Sequence, residues 1–150
     1  MATIRRQCDV AASVEEAWDA IRDIGAVHTR LAPGFVTDTR LEPGARIVTF
    51  VNGMVIREPI VTLDEEARRL VWSAEGGWTT HYNASLEVSP KPGQGATLVW
   101  TADFLPDEVE PRLAAAIEAG MQAMKRSLDA LGRSGIAHPA ERQSASTARS

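Results

Sequence analysis

From residue 35 to residue 104 the apolar residues fall into six short runs; from Val109 to Leu131 they form one stripe at steps of three and four. That change of period constrains the fold more than any other feature. The runs lie at about 35–41, 45–51, 54–63, 69–74, 79–89 and 95–104. They are parted by Glu42-Pro43-Gly44, Asn52-Gly53, Asp64-Glu65-Glu66, Gly76-Gly77 and the segment from Pro90 to Gly95. Strands joined this closely are antiparallel. Asn52-Gly53 reads as a two-residue hairpin turn, since both residue types tolerate positive φ. The stripe of Val109, Leu113, Ile117, Gly120, Met121, Met124, Leu128 and Leu131 predicts one long amphipathic helix over about 108–131. Asp107 and Glu110 have the spacing of a capping box, and Pro111 is tolerated only in a first turn.

The chain before this region adds a strand and short helices. TIRRQCDV alternates enough for an opening strand. Ser13 and Glu16 again have capping-box spacing, ahead of an apolar face of Ala17, Trp18, Ala20, Ile21 and Ile24. That helix should end near Gly25, and a second short one should run to about Leu31, where Pro33-Gly34 stops it. After Gly132 the sequence is small, polar and aperiodic, which predicts one folded domain over 1–131 and a disordered tail over 132–150. The fold class is therefore α+β, with seven antiparallel strands. The long helix must bury its stripe, and one sheet face is the only large apolar surface on offer. A sheet of this size curls, so it can wrap the helix. Contact along a line leaves space on either side, either filled by large side chains or kept as a pocket.

The order of elements and the words VEEAWDAIRDIGAVHTRLAPG, LVW and LVWTADF resemble the polyketide cyclase/dehydrase and lipid-transport group of the START-like (SRPBCC) superfamily. The resemblance spans residues 2 to about 131 and rests on element order and a diffuse pattern. It implies a helix-grip fold with an internal hydrophobic cavity. Relatives include aromatase/cyclases, sterol and lipid carriers, hormone receptors and co-chaperone domains, so it leaves function open.

Alternation assigns faces. Leu98, Trp100, Ala102 and Phe104 share the inward face of the last strand, and Tyr82, Ala84, Leu86 and Val88 that of the strand before it. Leu70 and Trp72 align likewise. The stretch FVNGMVIREPIV, over 50–61, is the informative one, because Met54, Ile56, Glu58 and Ile60 fall on one face. A carboxylate in a dry core costs several kcal/mol unless paired. Facing a roomy, partly hydrated cavity, Glu58 would anchor a ligand or act as an acid/base with a raised pKa. The competing reading is that Pro59 marks a bulge or edge that swings Glu58 outward, to pair with Arg57 or a neighbouring strand.

Trp72 and Trp100 are walls for a flat ligand or ordinary core fillers. Met121 and Met124 suit an adaptable pocket, or fill gaps. Gly120 inside a helix costs up to about 1 kcal/mol against alanine, so it allows close packing or makes room. Trp18 is structural and Trp78 belongs near a hairpin tip. His28 lies in a connection that can border a pocket mouth, His81 faces out, and His138 is in the tail. Lys125 borders the stripe and is solvated unless it reaches a cavity mouth. No histidine pair has metal-ligand spacing, and no phosphate loop, nucleophile elbow or paired catalytic carboxylate appears, so no metal or cofactor is expected.

A formal charge of −4 and no basic, aromatic-rich cluster argue against nucleic acid or an anionic membrane as partner. No segment reaches the roughly 18 apolar residues of a membrane span, and a lone Cys8 fits the cytoplasm. The leading expectation is a binder of a small hydrophobic ligand, lipid-like or polyketide-like, in the cavity. Met54, Ile56, Glu58, Trp72, Tyr82, Trp100, Met121 and Met124 are its candidate wall. The alternative is a cyclase or dehydratase using Glu58 with Tyr82. A protein-interaction domain ranks last, for want of an exposed apolar patch. Oligomeric state stays open, a dimer included.

Overall fold

The computed structural model describes the backbone of residues 1–149 and the side chains of residues 1–134. The expected boundary at 131 and disordered tail over 132–150 fall largely outside those side chains and stay expectations. The strands are β1 (Ala2–Val10), β2 (Val36–Glu42), β3 (Ala45–Phe50), β4 (Val55–Asp64), β5 (Arg69–Ser73), β6 (His81–Pro90) and β7 (Ala96–Leu105). Helix α1 spans Val14–Arg22, a π-helical turn spans Val27–Leu31, and α2 spans Glu110–Arg149. The strands form one sheet in the order β1-β7-β6-β5-β4-β3-β2, every neighbouring pair antiparallel. This is the helix-grip arrangement. The meander closes by β1 pairing along β7, while α2 crosses back over β1 and the π-helical turn, and α1 lies over β6 and β7.

Local chemistry explains the element starts. The Ser13 hydroxyl accepts from the Glu16 N–H, and the Glu16 carboxylate accepts from the Ser13 N–H, so the capping box forms. The second box does not. Residues Asp107–Val109 form a 3-10 turn without a side-chain cap. The Asp107 carboxylate instead lies 3.4 Å from the N-terminal amine of Met1. The Asn52-Gly53 turn is real but longer than expected. Phe50 N–H bonds to the Met54 carbonyl, Gly53 alone takes positive φ, and Asn52 accepts from the Met54 N–H through its side chain. The loop is therefore 51–53, and its extra residue shifts the register of β3 against β4 by one.

The core lies between the concave face of the sheet and the helices. Phe104, Leu98, Leu86 and Leu70 from the strands meet Ile21 from α1 and Ile117 and Leu128 from α2, all fully buried. Each such side chain contributes roughly 1.5–3 kcal/mol of burial free energy. The inward faces of β6 and β7 follow the alternation of the sequence without a break. In β4 the alternation breaks once. The register shifts between Ile60 and Thr62, leaving Val61 57% exposed and returning Leu63 to the core side. Pro59 thus heralds a bulge, but one that begins after Glu58.

Candidate functional site

Between the sheet and α2 lies a cavity of about 480 Å³. Its floor is the middle of the sheet: Val48 from β3, Ile56 from β4, Leu70 and Trp72 from β5, Tyr82 and Leu86 from β6, Trp100 from β7. One side is closed by Val27, Leu31 and Phe35, the other by Leu113, Ile117 and Met124 of α2. Exposed residues mark its mouth: Val51 and Asn52 of the β3–β4 hairpin, Gly76 and Gly77 before β6, and Arg112, Ala115 and Ala119 on α2. The Arg112 guanidinium rests over the Trp78 ring at 5.2 Å.

Gly120 sets how deeply the helix sits. A Cβ there would lie 2.9 Å from Trp100 Cζ3 and 3.0 Å from Phe35 Cε2. The absent side chain thus lets the helix backbone rest directly on two aromatic rings of the wall. Phe35 stacks edge-on against Phe50 at 5.4 Å, completing an aromatic rim beside the hairpin.

One ion pair is built into this apolar wall. Glu58 is 7% exposed and Arg46 is 4% exposed. Arg46 Nε donates to Glu58 Oε1 at 2.8 Å. The two residues face one another across β3 and β4, the pairing set by the three-residue hairpin loop. A two-residue loop would have put Arg46 opposite Pro59. The Arg46 guanidinium also lies over the Trp72 ring at 5.4 Å, and Trp72 sits 5.9 Å from Trp100 in a tilted contact. Arg57, the expected external partner of Glu58, points the other way and pairs with Glu42 and Glu75 on the surface. The reading of Glu58 as an outward residue is therefore overturned.

Burial lifts the Glu58 carboxyl above its ordinary value, and the charge and hydrogen bond of Arg46 only partly pull it back. Burial also pushes the Tyr82 phenol far above its ordinary range, with the nearby Glu58 charge adding to the effect. Among the described residues, two buried donors of the wall have no partner, Arg46 Nη1 and Trp100 Nε1. The Trp100 N–H lies close enough to Tyr82 to favour its phenolate slightly, yet it misses hydrogen-bond geometry, so it counts as unpartnered.

Met54, Ile56, Glu58, Trp72, Tyr82, Trp100 and Met124 all border the cavity. Met121 does not: it is buried in the core outside the lining, because the stripe of α2 is wider than the cavity. His28 is also away from the mouth, its Nδ1 hydrogen-bonded to Thr39 Oγ1 at 3.1 Å. Lys125 donates to the Asp9 carbonyl and is not part of the cavity lining. Arg46, Phe35 and Phe50 escaped the sequence reading. Arg46 carried a signal, alternating with Val48 and Phe50 on the inward face of its strand.

A curled antiparallel sheet gripping one long helix around an apolar chamber defines the START-like class of ligand-binding or cyclase domains. Within it, the chain belongs to the family described as polyketide cyclase/dehydrase and lipid transport, whose sequence profile matches residues 1–134. A solution structure from Thermobifida fusca is similar at 33% identity and TM-score 0.67, over 87% of this chain and 91% of that one. A START superfamily protein from Mycobacterium smegmatis is similar in fold at 15% identity and TM-score 0.68, over 86% and 98% of the two chains. So is a norcoclaurine synthase point mutant from Thalictrum flavum, solved with a transition-state analogue, at 22% identity and TM-score 0.66 over 85% and 93%. No curated protein sequence matches the chain.

Proposed function

We propose that this domain binds a small hydrophobic molecule in the chamber between sheet and α2, with Arg46 and Glu58 as its polar anchor. The observation that carries this reading is a largely aliphatic and aromatic cavity of about 480 Å³ whose wall contains one buried ion pair. A cavity of that volume falls within the usual range of ligand pockets, which are mostly apolar with a few placed polar groups. Native mass spectrometry of purified protein tests the reading. Retention of a lipid-like or aromatic compound, lost on unfolding, is the expected result. A chain that carries nothing, and whose melting temperature no hydrophobic compound raises, would count against it.

A second reading has its own support in the raised pKa of Glu58 beside Tyr82. A buried carboxyl whose pKa is raised is a candidate general acid for cyclisation or dehydration. Tyr82 suits the supporting part, because its phenol stays protonated and can only donate or accept a hydrogen bond. Binding ranks first because Glu58 is already engaged by Arg46. Turnover of a bound polyketide-like compound that disappears in Glu58→Gln, with binding retained, would reverse the ranking.

A further inference from the structure

Arg46 Nη1 and Trp100 Nε1 are buried, belong to wall residues, and have no hydrogen-bond partner among the described residues. A buried donor without a partner costs a full desolvation penalty, so such groups in a folded protein call for an explanation. Both side chains flank Trp72, Arg46 over its ring and Trp100 tilted beside it. Glu58 Oε1 already receives Arg46 Nε.

Resting on the binding function above, we propose that the chamber selects an uncharged, ring-sized ligand bearing a carbonyl-type oxygen, which takes up the Arg46 and Trp100 donors. Charge decides against a carboxylate. Arg46 and Glu58 already cancel, and a second anion beside Glu58 would meet like-charge repulsion in a low-dielectric pocket. A plain hydrocarbon gains the apolar contacts but leaves both donors unsatisfied. A ketone, quinone or enone gains both. Donors this deep reach the ligand after small side-chain rotations, for which a chamber of this size leaves room.

The test is a matched set of flat probes with one skeleton: fluorenone, fluorene and fluorene carboxylate, titrated by tryptophan fluorescence. Fluorenone should bind about tenfold tighter than fluorene, the value of one neutral hydrogen bond formed in a buried site, and tighter than the carboxylate. Trp100→Phe removes one donor with little loss of volume, and Arg46→Met with Glu58→Met removes the other without stranding a charge. In at least one of these the preference for fluorenone over fluorene should shrink to less than about threefold. Equal affinity for fluorenone and fluorene in the parent protein overturns the proposal, while leaving hydrophobic binding intact. So does a tenfold preference that survives both variants, or a carboxylate that binds tightest. Failure of all three probes to bind counts against the binding function itself.

Discussion

Arg46→Met is the sharpest perturbation of this structure, because it leaves the Glu58 carboxylate in place and takes away its only hydrogen-bonded cation. The two side chains are 5% and 9% exposed, so neither is well solvated in the folded state. Removing one partner of a buried pair costs roughly 3–5 kcal/mol. A domain of this size has about 5–15 kcal/mol in all, so the variant should lose about a fifth of its stability or more. The loss should depend on pH. Burial already holds Glu58 above its ordinary 4.5, and Arg46 is what restrains it, so the folded-state value climbs further in the variant. An acid whose pKa is raised on folding contributes stability that is complete below its unfolded value and lost as pH rises through its folded value. The deficit should therefore be small near the ordinary value of 4.5 and below, and grow as pH rises above it. Glu58→Gln should show a deficit without that rising slope, since it strands Arg46 and removes the titrating group. The double replacement of both residues by Met should recover most of the loss, as apolar exchanges of buried pairs are often neutral or stabilising by about 1–4 kcal/mol. Urea unfolding followed by circular dichroism at several pH values gives all four stabilities. Single variants within about 0.5 kcal/mol of the parent, the range of ordinary surface changes, would refute the buried pair.

Gly120→Ala should destabilise, because overpacking against Trp100 and Phe35 costs about 1–3 kcal/mol and outweighs the gain of up to about 1 kcal/mol in helix propensity; a higher melting temperature would contradict the close approach. Ser13→Ala should lose about 0.5–2 kcal/mol with the cap of α1, measured by chemical denaturation, and no loss would mean the box does not hold that helix end. Tyr82 is the single tyrosine of the chain, so an ultraviolet titration reads it alone. It should stay protonated well beyond its ordinary 10.0 until the protein unfolds in alkali. A raised acid again loses its stabilising contribution as pH rises, so alkaline unfolding and phenolate formation should coincide; ionisation near the ordinary value in a folded chain would place Tyr82 in solvent.

The architecture was legible in the sequence because period is a strong signal: alternation on β6 and β7 and the stripe of α2 needed no tertiary information. The inward placing of Glu58 followed from the same alternation, since the break in β4 falls after Ile60. The pair it forms was hidden by one residue of loop length. Reading Asn52-Gly53 as a two-residue turn sets the wrong cross-strand partners, and only the observed 51–53 loop brings Arg46 opposite Glu58. Met121 shows the limit for helices. Its place on the stripe predicts burial correctly, yet periodicity cannot say which part of a stripe meets packed side chains and which meets a chamber. Asp107 shows that cap spacing alone does not decide which group a carboxylate meets.

The size of the chamber bears on what must occupy it. The chamber opens to solvent at its mouth, so its space of about 480 Å³ holds water or a ligand. At about 30 Å³ per molecule, liquid water would supply on the order of a dozen or more. Each well-held water needs two to four polar partners, and away from Asn52, Thr79 and Arg112 the polar side chains of the lining are Arg46, Glu58, Tyr82 and Trp100. Most of the water would therefore lie against Val27, Leu31, Val48, Ile56, Leu113 and Ile117, where it finds few partners. Displacing poorly held water by an apolar group is favourable, whereas the few waters at the ion pair resist displacement by anything that cannot replace their hydrogen bonds. On the proposed binding function, the aliphatic side would admit a hydrophobic body, and the Arg46–Glu58 corner would decide which polar group that body has to carry.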